Sequence, residues 1–368
     1  MGFYQLLTTY QEVTGSDYFS SVKKRDIETI LQKHSLQPLD FLALLSPTAE
    51  EYLEAMAQKA HRLTIQHFGK TILMYTPLYL SNYCTNQCVY CGFATHSGSK
   101  RKQLTAEEVR QEAQAIAAAG FKHLLILTGD APKIASVEYL EECIGILRSF
   151  FPSIGLEVYA LSTEEYARLI QAGADLLTMY QETYNPLLYD RLHIKGPKKD
   201  YHFRLDAPER ACLAGIRSVN IGALLGLDED WRREAFFTGL HAHYLQNKYS
   251  QVEINISLPR LRPHFGNHQP LCTVTDKNIV QYMLAFRLFM PWSGITISTR
   301  ERAEFRDRLL PLGVTKMSAG SCTAVGGHSQ SEQTEGQFSV SDERDLPQMC
   351  LALRSHGYQP VFKNWEPL

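Results

Sequence analysis

The sequence predicts an α/β fold: a closed (β/α)8 barrel of the TIM type, preceded by a helical cap and followed by a short extension. Between residues 72 and 318, eight short apolar runs with β-branched and aromatic residues recur, and amphipathic helical stretches separate most of them. That alternation favours a parallel sheet, and eight units suffice to close it into a barrel. A chain of 368 residues exceeds the usual single-domain size, which one large barrel with terminal additions accommodates.

Residues 1–70 form the predicted cap. From Asp26 to about Phe68 the pattern is helical, with Ile27, Ile30 and Leu31 at helical spacing. A second run from Thr48 passes through Tyr52, Leu53, Met56 and Leu63, and Ser46-Pro47 separates the two. The barrel is expected over 71–320, with strands at Ile72–Leu80, His123–Thr128, Ile154–Ala160, Leu176–Tyr180, Ser218–Leu225, Val252–Leu258, Ile295–Ser298 and Val314–Ser318. Helical patterns cover Ala106–Ala119, Val137–Phe150, Glu164–Ala172, Pro208–Ala214, Trp231–Asn247, Asp276–Phe289 and Ala303–Leu309. Thr105 ahead of Glu107 and Glu108 is a predicted N-cap, and Gly120 and Gly173 are predicted stops. The extension, 321–368, reads as a polar loop at Gly326–Gln337, a helix near Asp342–Ser355 and a tail. Polar residues ending barrel strands are the first functional suspects, because active sites form at that face.

Hydrophobic residues at 44% and charged residues at 21% are ordinary for a globular chain, which argues against disorder and against a membrane class. A net charge of -2 gives no reason to bind nucleic acid or an acidic membrane, so a small-molecule partner is expected. The first residues lack a basic segment followed by a long apolar run, and the chain reads as cytoplasmic.

Of eight cysteines, only Cys84, Cys88 and Cys91 cluster, directly after the first predicted strand. Gaps of four and three would also suit one face of a buried helix, but Asn82, Thr85, Asn86, Gln87 and Gly92 read as a loop wrapped around something. A structural zinc site wants four ligands, for which His96 is the nearby candidate. A cubane iron-sulfur cluster ordinarily takes four thiolates, so three leave one iron open to an external group.

With Tyr90 before the third cysteine, the segment resembles the Cys-x3-Cys-x-aromatic-Cys pattern of the radical S-adenosylmethionine (SAM) superfamily. The resemblance implies a [4Fe-4S] cluster on Cys84, Cys88 and Cys91, and S-adenosylmethionine chelated at the open iron and cleaved to a 5'-deoxyadenosyl radical. It implies further cofactor contacts one residue at a time. Gly129 and Asp130 stand where the superfamily often has Gly-Gly-Glu, with aspartate one methylene shorter. Glu157 and Tyr159 share a face of the third strand, and Glu157 either binds the cofactor or pairs with a buried arginine. Leu225, within Gly222–Gly226, resembles the strand whose backbone meets adenine.

The segments Leu78–Asn82, Tyr180–Tyr184, Pro259–Pro263, Ser298–Glu301 and Met317–Ser321 are similar to the aromatic amino acid lyases of that superfamily. That likeness implies cleavage of L-tyrosine between Cα and Cβ, giving dehydroglycine (2-iminoacetate) and p-cresol. The lack of a second cysteine triplet near the C-terminus places the chain nearer the thiamine-pathway side of the family than the hydrogenase-maturing side. On that side the implied partners are thiazole synthase and a flavodoxin- or ferredoxin-type reductant. A lyase of tryptophan, a maturase-like tyrosine lyase without an auxiliary cluster, and a non-enzymatic zinc or iron-sulfur protein are the alternatives.

The residues themselves also suit an amino acid. Ser298 and Arg300, two apart at the end of the seventh strand, share a face, and a guanidinium grips a carboxylate with paired hydrogen bonds; Arg300 could instead pair with Glu301. Arg260 and Arg262 flank Leu261 between two prolines, and one of them is expected to point inward. Tyr180, Glu182 and Tyr184 alternate after the fourth strand with Gln181 and Thr183 on the other face; one set is expected to line the cavity, with Tyr180 and Glu182 as the substrate-binding candidates. His193, Lys195, Gly196 and Pro197 read as a mobile covering loop, and Lys198 and Lys199 as solvated.

Overall fold

A computed structural model describes residues 2–14, 16–261, 269–329 and 336–363. Nine parallel strands form its sheet: β1 (Thr71–Ser81), β2 (His123–Thr128), β3 (Ser153–Glu157), β4 (Leu176–Glu182), β5 (Ser218–Ala223), β6 (Glu253–Ser257), β7 (Gly294–Ile297), β8 (Lys316–Ser318) and β9 (Gln359–Val361). Strands β1 to β8 pair in chain order, and β1 closes the ring by pairing with both β8 and β2. The length of β1 allows this: Leu73–Tyr75 face β8, Thr76–Ser81 face β2, and the first three residues take β9 of the extension as a further neighbour.

The strands are buried almost throughout, as a parallel barrel sheathed in helices requires. The helices fall where hydrophobic periodicity puts them; Thr105 caps Ala106–Ala118 by accepting from the Glu108 N–H, and Gly173 ends Thr163–Ala172 with φ 127°. Several short elements carried no readable period, among them helices Phe3–Gln11 and Ser16–Ser21, two helices after β4, Pro186–Leu192 and Tyr201–Leu205, and β9, which read as a tail. Helix Phe3–Gln11 is pinned by Phe3, whose ring stacks on His241 at 3.9 Å. The extension is tied to the barrel by the wholly buried pair Arg306–Asp342 and by β9. No described helix is long and apolar enough to cross a membrane.

Candidate active site

The catalytic end of the barrel is dominated by the loop after β1, and its shape is set by side chains that bond to main chain. Arg101 donates to the carbonyls of Asn82 (2.6 Å), Phe93 (2.9 Å) and Ala94 (2.7 Å), gathering both ends of the cysteine loop on one guanidinium. The Asp130 carbonyl accepts from the Thr85 N–H and hydroxyl, and its carboxylate accepts from Asn86 Nδ2 at 2.8 Å. Gly129 lets that contact happen, since a Cβ there would stand 2.4 Å from the Tyr83 carbonyl.

A second wall comes from residues 192–198, which run antiparallel to the cysteine loop with Cys88 bridged to His193. Gln87 and Val89 donate to the carbonyls of Lys195 and Leu192. His193 is buried, which pushes its pKa down to about 3, so its ring is neutral. Its Nδ1 donates to the Tyr189 carbonyl (2.8 Å), which leaves Nε2 to accept from the Tyr90 hydroxyl at 2.7 Å. The expectation of a mobile cover over His193–Pro197 is therefore corrected: this segment is scaffold. At Gly196, φ is 107° and an added Cβ would meet Asn86 Oδ1 at 2.2 Å.

Lys198, read as solvated, is turned inward. Its Nζ lies 2.6 Å from Glu182 Oε1, and Arg204 Nη2 lies 3.7 Å from the same oxygen. Burial works to raise the Glu182 pKa, but the two cations outweigh it and hold the carboxyl below its usual range. Two buried cations against one carboxylate leave an excess positive charge beside the cysteines.

Within the loop, Cys88 is buried and Cys84 and Cys91 are half-buried. Burial, then the Asp130 charge, pushes the Cys84 thiol up to about 11, and burial raises Cys88 further. Thiols so placed become thiolates when a metal supplies the compensating charge. Cys91 also accepts from Gln337 Nε2 at 3.7 Å, and Gln337 Oε1 accepts from the Tyr79 hydroxyl at 2.9 Å. Among the described residues no three His, Cys, Asp or Glu side chains are grouped to hold a single metal ion.

Beside the cysteines opens a cleft of two lobes that share Glu157, Tyr180, Arg300 and Phe338. The outer lobe is lined by Tyr90, Cys91, Glu182, Lys198, Leu224 and Gln337, the inner by Tyr75, Tyr79, Ser298, Ser318, Ser321 and Thr323. Burial pushes the Glu157 carboxyl up to about 7 against the pull of Arg300. Burial likewise lifts Tyr75 to about 12 and Tyr79 and Tyr180 well above the usual phenol range. The cleft is narrow: water finds about 70 Å³ in one lobe and 50 Å³ in the other, well below the roughly 300–1,000 Å³ of ligand pockets. Phe338 lines both lobes, its ring centre 3.5 Å from the Arg300 guanidinium.

Two family models together cover most of this architecture: the radical SAM superfamily over residues 78–238 and the Biotin and Thiamin Synthesis associated domain over 257–359. The 2-iminoacetate synthase of Escherichia coli (strain K12) is 42% identical over 341 residues, spanning 93% of this chain and 90% of that protein. The chain belongs to the 2-iminoacetate synthase family. The counterpart from Salmonella typhimurium is 41% identical over the same length. Among solved structures, the FeFe-hydrogenase maturase HydG from Carboxydothermus hydrogenoformans superposes with a TM-score of 0.90 at 30% identity, covering 99% of this chain and 86% of that one. Methylornithine synthase (PylB) shares the fold, with a TM-score of 0.74 at 20% identity over 91% of this chain and 97% of that one.

Membership makes the protein a radical SAM enzyme whose cofactors are a [4Fe-4S] cluster and S-adenosylmethionine, and the site fits them. Cys84, Cys88 and Cys91, carried on one loop beside the cleft, would hold the cluster, and the excess positive charge at Lys198 and Arg204 would suit the cofactor's carboxylate. Several residues expected at this site are engaged elsewhere. Arg260 spends its donors on Glu301, Asp276 and the Val274 carbonyl, being the buried partner of Glu301. That pairing also takes Glu301 away from Arg300. Arg262 lies outside the described residues. Tyr159 falls beyond the end of β3, so its alternation with Glu157 is lost and its hydroxyl donates to the Ala135 carbonyl at 2.8 Å. Leu225 uses its backbone on Pro259 and Leu261; Leu224 lines the cleft instead. Tyr184 is diverted by a bulge between Tyr180 and Glu182, where Glu182 has φ 70°, and packs against His241.

Sequence reasoning misread Lys198 and passed over Tyr75, Tyr79, Arg204, Gln337 and Phe338. For the two tyrosines a signal existed: Tyr75, Pro77 and Tyr79 alternate along β1 and face inward together.

Proposed function

We propose that this enzyme cleaves L-tyrosine between Cα and Cβ to 2-iminoacetate and p-cresol. What carries the reading is the meeting of Ser298, Arg300 and Glu157 in a cleft that also reaches Cys91. When bound on Cys84, Cys88 and Cys91, the cluster and its cofactor supply the hydrogen-abstracting radical. The chain's own residues do the rest. Lys198 and Glu182 hold the cofactor's carboxylate and ammonium. Arg300, with Ser298, grips the tyrosine carboxylate, which turns the amino group toward the outer lobe. Glu157, poised near neutrality, takes a proton from that ammonium, the role a carboxylate of pKa near the working pH performs best. Tyr180 stays protonated and acts as a hydrogen-bond donor to the substrate, while the Tyr79 hydroxyl is committed to Gln337.

The product is an imine that water hydrolyses, so direct transfer to thiazole synthase fits its chemistry, and a flavodoxin or ferredoxin fits the one-electron demand. The test is anaerobic turnover with tyrosine, tryptophan and phenylalanine side by side. Release of p-cresol from tyrosine alone supports the reading; an indole product from tryptophan would replace it. Co-purification with thiazole synthase at micromolar concentration tests the transfer, and its repeated absence counts against it.

A further inference from the structure

The opposite end of the barrel is not the dry plug of branched aliphatic side chains usual for this fold. A second cavity, with about 280 Å³ open to water, lies among the first residues of the strands and is lined by Lys316, His123, Arg217, Glu253, Asn255 and Ser218, besides apolar groups. Its two cations are unequally paired. Glu253 is engaged by Arg217 at 2.9 Å, and the other face of Arg217 goes to Asp175 at 2.9 Å, outside the cavity lining. Lys316 has no hydrogen bond or ion pair among the described residues; its Nζ rests 4.9 Å from the centre of the Tyr75 ring. His123 is 3% exposed, and its Nε2 is buried without a partner. Asn255 donates Nδ2 to Ser218 Oγ at 3.0 Å, and its Oδ1 fits only because residue 294 is glycine, where a Cβ would stand 2.0 Å away.

We propose that the N-terminal end of the barrel holds a second ligand site, for a compact oxyanion bound by the Lys316 ammonium and the His123 imidazole. The half-buried Lys316 ammonium has no counterion in direct contact, and an oxyanion supplies one while taking the free imidazole N–H. Burial pushes the Lys316 pKa down to about 8 against the pull of Glu253 and Asp175, whose carboxylates are in contact with Arg217. His123 is kept neutral by burial and then by Lys316, so it serves as a neutral donor. Tyr75 is the partition: its ring covers Lys316 on one side and lines the catalytic cleft on the other. The site is therefore separate from the tyrosine site and does not depend on the reaction assigned to it.

The test titrates the full, cluster-loaded chain calorimetrically with inorganic phosphate and, separately, with acetate at constant ionic strength. One-site saturable binding of either probe is expected, and the probe that binds distinguishes a tetrahedral from a planar ligand. Lys316→Met should weaken that binding by about tenfold or more, equivalent to about 1.4 kcal/mol, while tyrosine turnover stays within about twofold. Failure of both probes to saturate, or equal binding by the variant, overturns the proposal. Melting curves guard against a misfolded variant. Without added anion Lys316→Met should melt no lower than the parent, because it breaks no direct ion pair, and added probe should raise Tm in the parent alone. A variant melting well below the anion-free parent would show Lys316 already compensated, and would also overturn the proposal.

Discussion

Phe338, from the C-terminal extension, lies face-on over the Arg300 guanidinium at 3.5 Å, so the arginine that fits a substrate carboxylate is covered by a segment outside the barrel strands. Such a contact is worth about 2 kcal/mol when desolvated, and substrate entry has to displace or slide this ring. Phe338→Ala should let tyrosine bind at least as tightly while the cleft loses its shield from water. The expected outcome is a rise in cofactor molecules consumed per p-cresol released. An unchanged ratio would mean that the ring is only a packing residue.

Arg300→Ala should separate two activities. The cysteine loop and the Lys198–Glu182–Arg204 group do not depend on Arg300, so slow tyrosine-independent cofactor cleavage should persist. Tyrosine cleavage should fall on the order of 100-fold, because a flexible substrate loses its anchor before the reactive step. Arg300→Lys should recover part of it, a point charge replacing a two-pronged grip. Ordinary tyrosine affinity and p-cresol yield in Arg300→Ala would sink the assignment.

Glu157 gives the pH dependence its sign. Burial raises its pKa to about 7, so the carboxylate that accepts the proton is present above that value and absent below. Turnover should rise with pH through about 7, and Glu157→Gln should abolish this limb. Removing Arg300, whose charge lowers the Glu157 pKa, should move the limb to higher pH. Stability runs the other way. Between the ordinary carboxyl range and about 7 the folded state binds the extra proton, so Glu157 makes the fold less stable as pH rises through that window. Glu157→Gln should then gain about 1–3 kcal/mol relative to the parent at pH 8 compared with pH 5.

The barrel was legible because strand and helix periods are local properties, and each of the eight runs carries its own. The cysteine loop was legible because its three cysteines lie within eight positions. The cleft was legible only where strands end on polar residues, as at Glu157, Tyr180 and Arg300. Lys198 was misread because a lysine after Gly-Pro looks solvated until the bulge at Glu182 turns a carboxylate toward it. Arg260 was misread in the opposite direction: its partner Glu301 is 41 positions away, and no local pattern announces that pairing. Phe338 and Gln337 reach the cleft from the extension, where composition shows only a polar loop.

The last prediction concerns Asp130, which the superfamily pattern suggests as a ligand for the cofactor's amino group and which the structure uses as a clamp. Its carboxylate accepts from Asn86 Nδ2, and Asn86 Oδ1 in turn accepts from the Lys198 backbone N–H at 3.0 Å, so one asparagine ties the end of β2 to both walls of the site. A clamp and a ligand predict different losses. If Asp130 is a clamp, Asp130→Ala removes a charge-assisted hydrogen bond worth about 1.5–3 kcal/mol and loosens the cysteine loop, so iron retained per chain after anaerobic reconstitution should drop. Asp130→Asn keeps an oxygen that can accept from Asn86 and should retain most of the iron. Cofactor affinity, measured on the fraction that keeps its cluster, should stay close to that of the parent in both variants. The reverse pattern, full iron content with cofactor affinity lost in Asp130→Asn as well as Asp130→Ala, would show that the carboxylate charge meets the cofactor directly and that the bond to Asn86 is incidental.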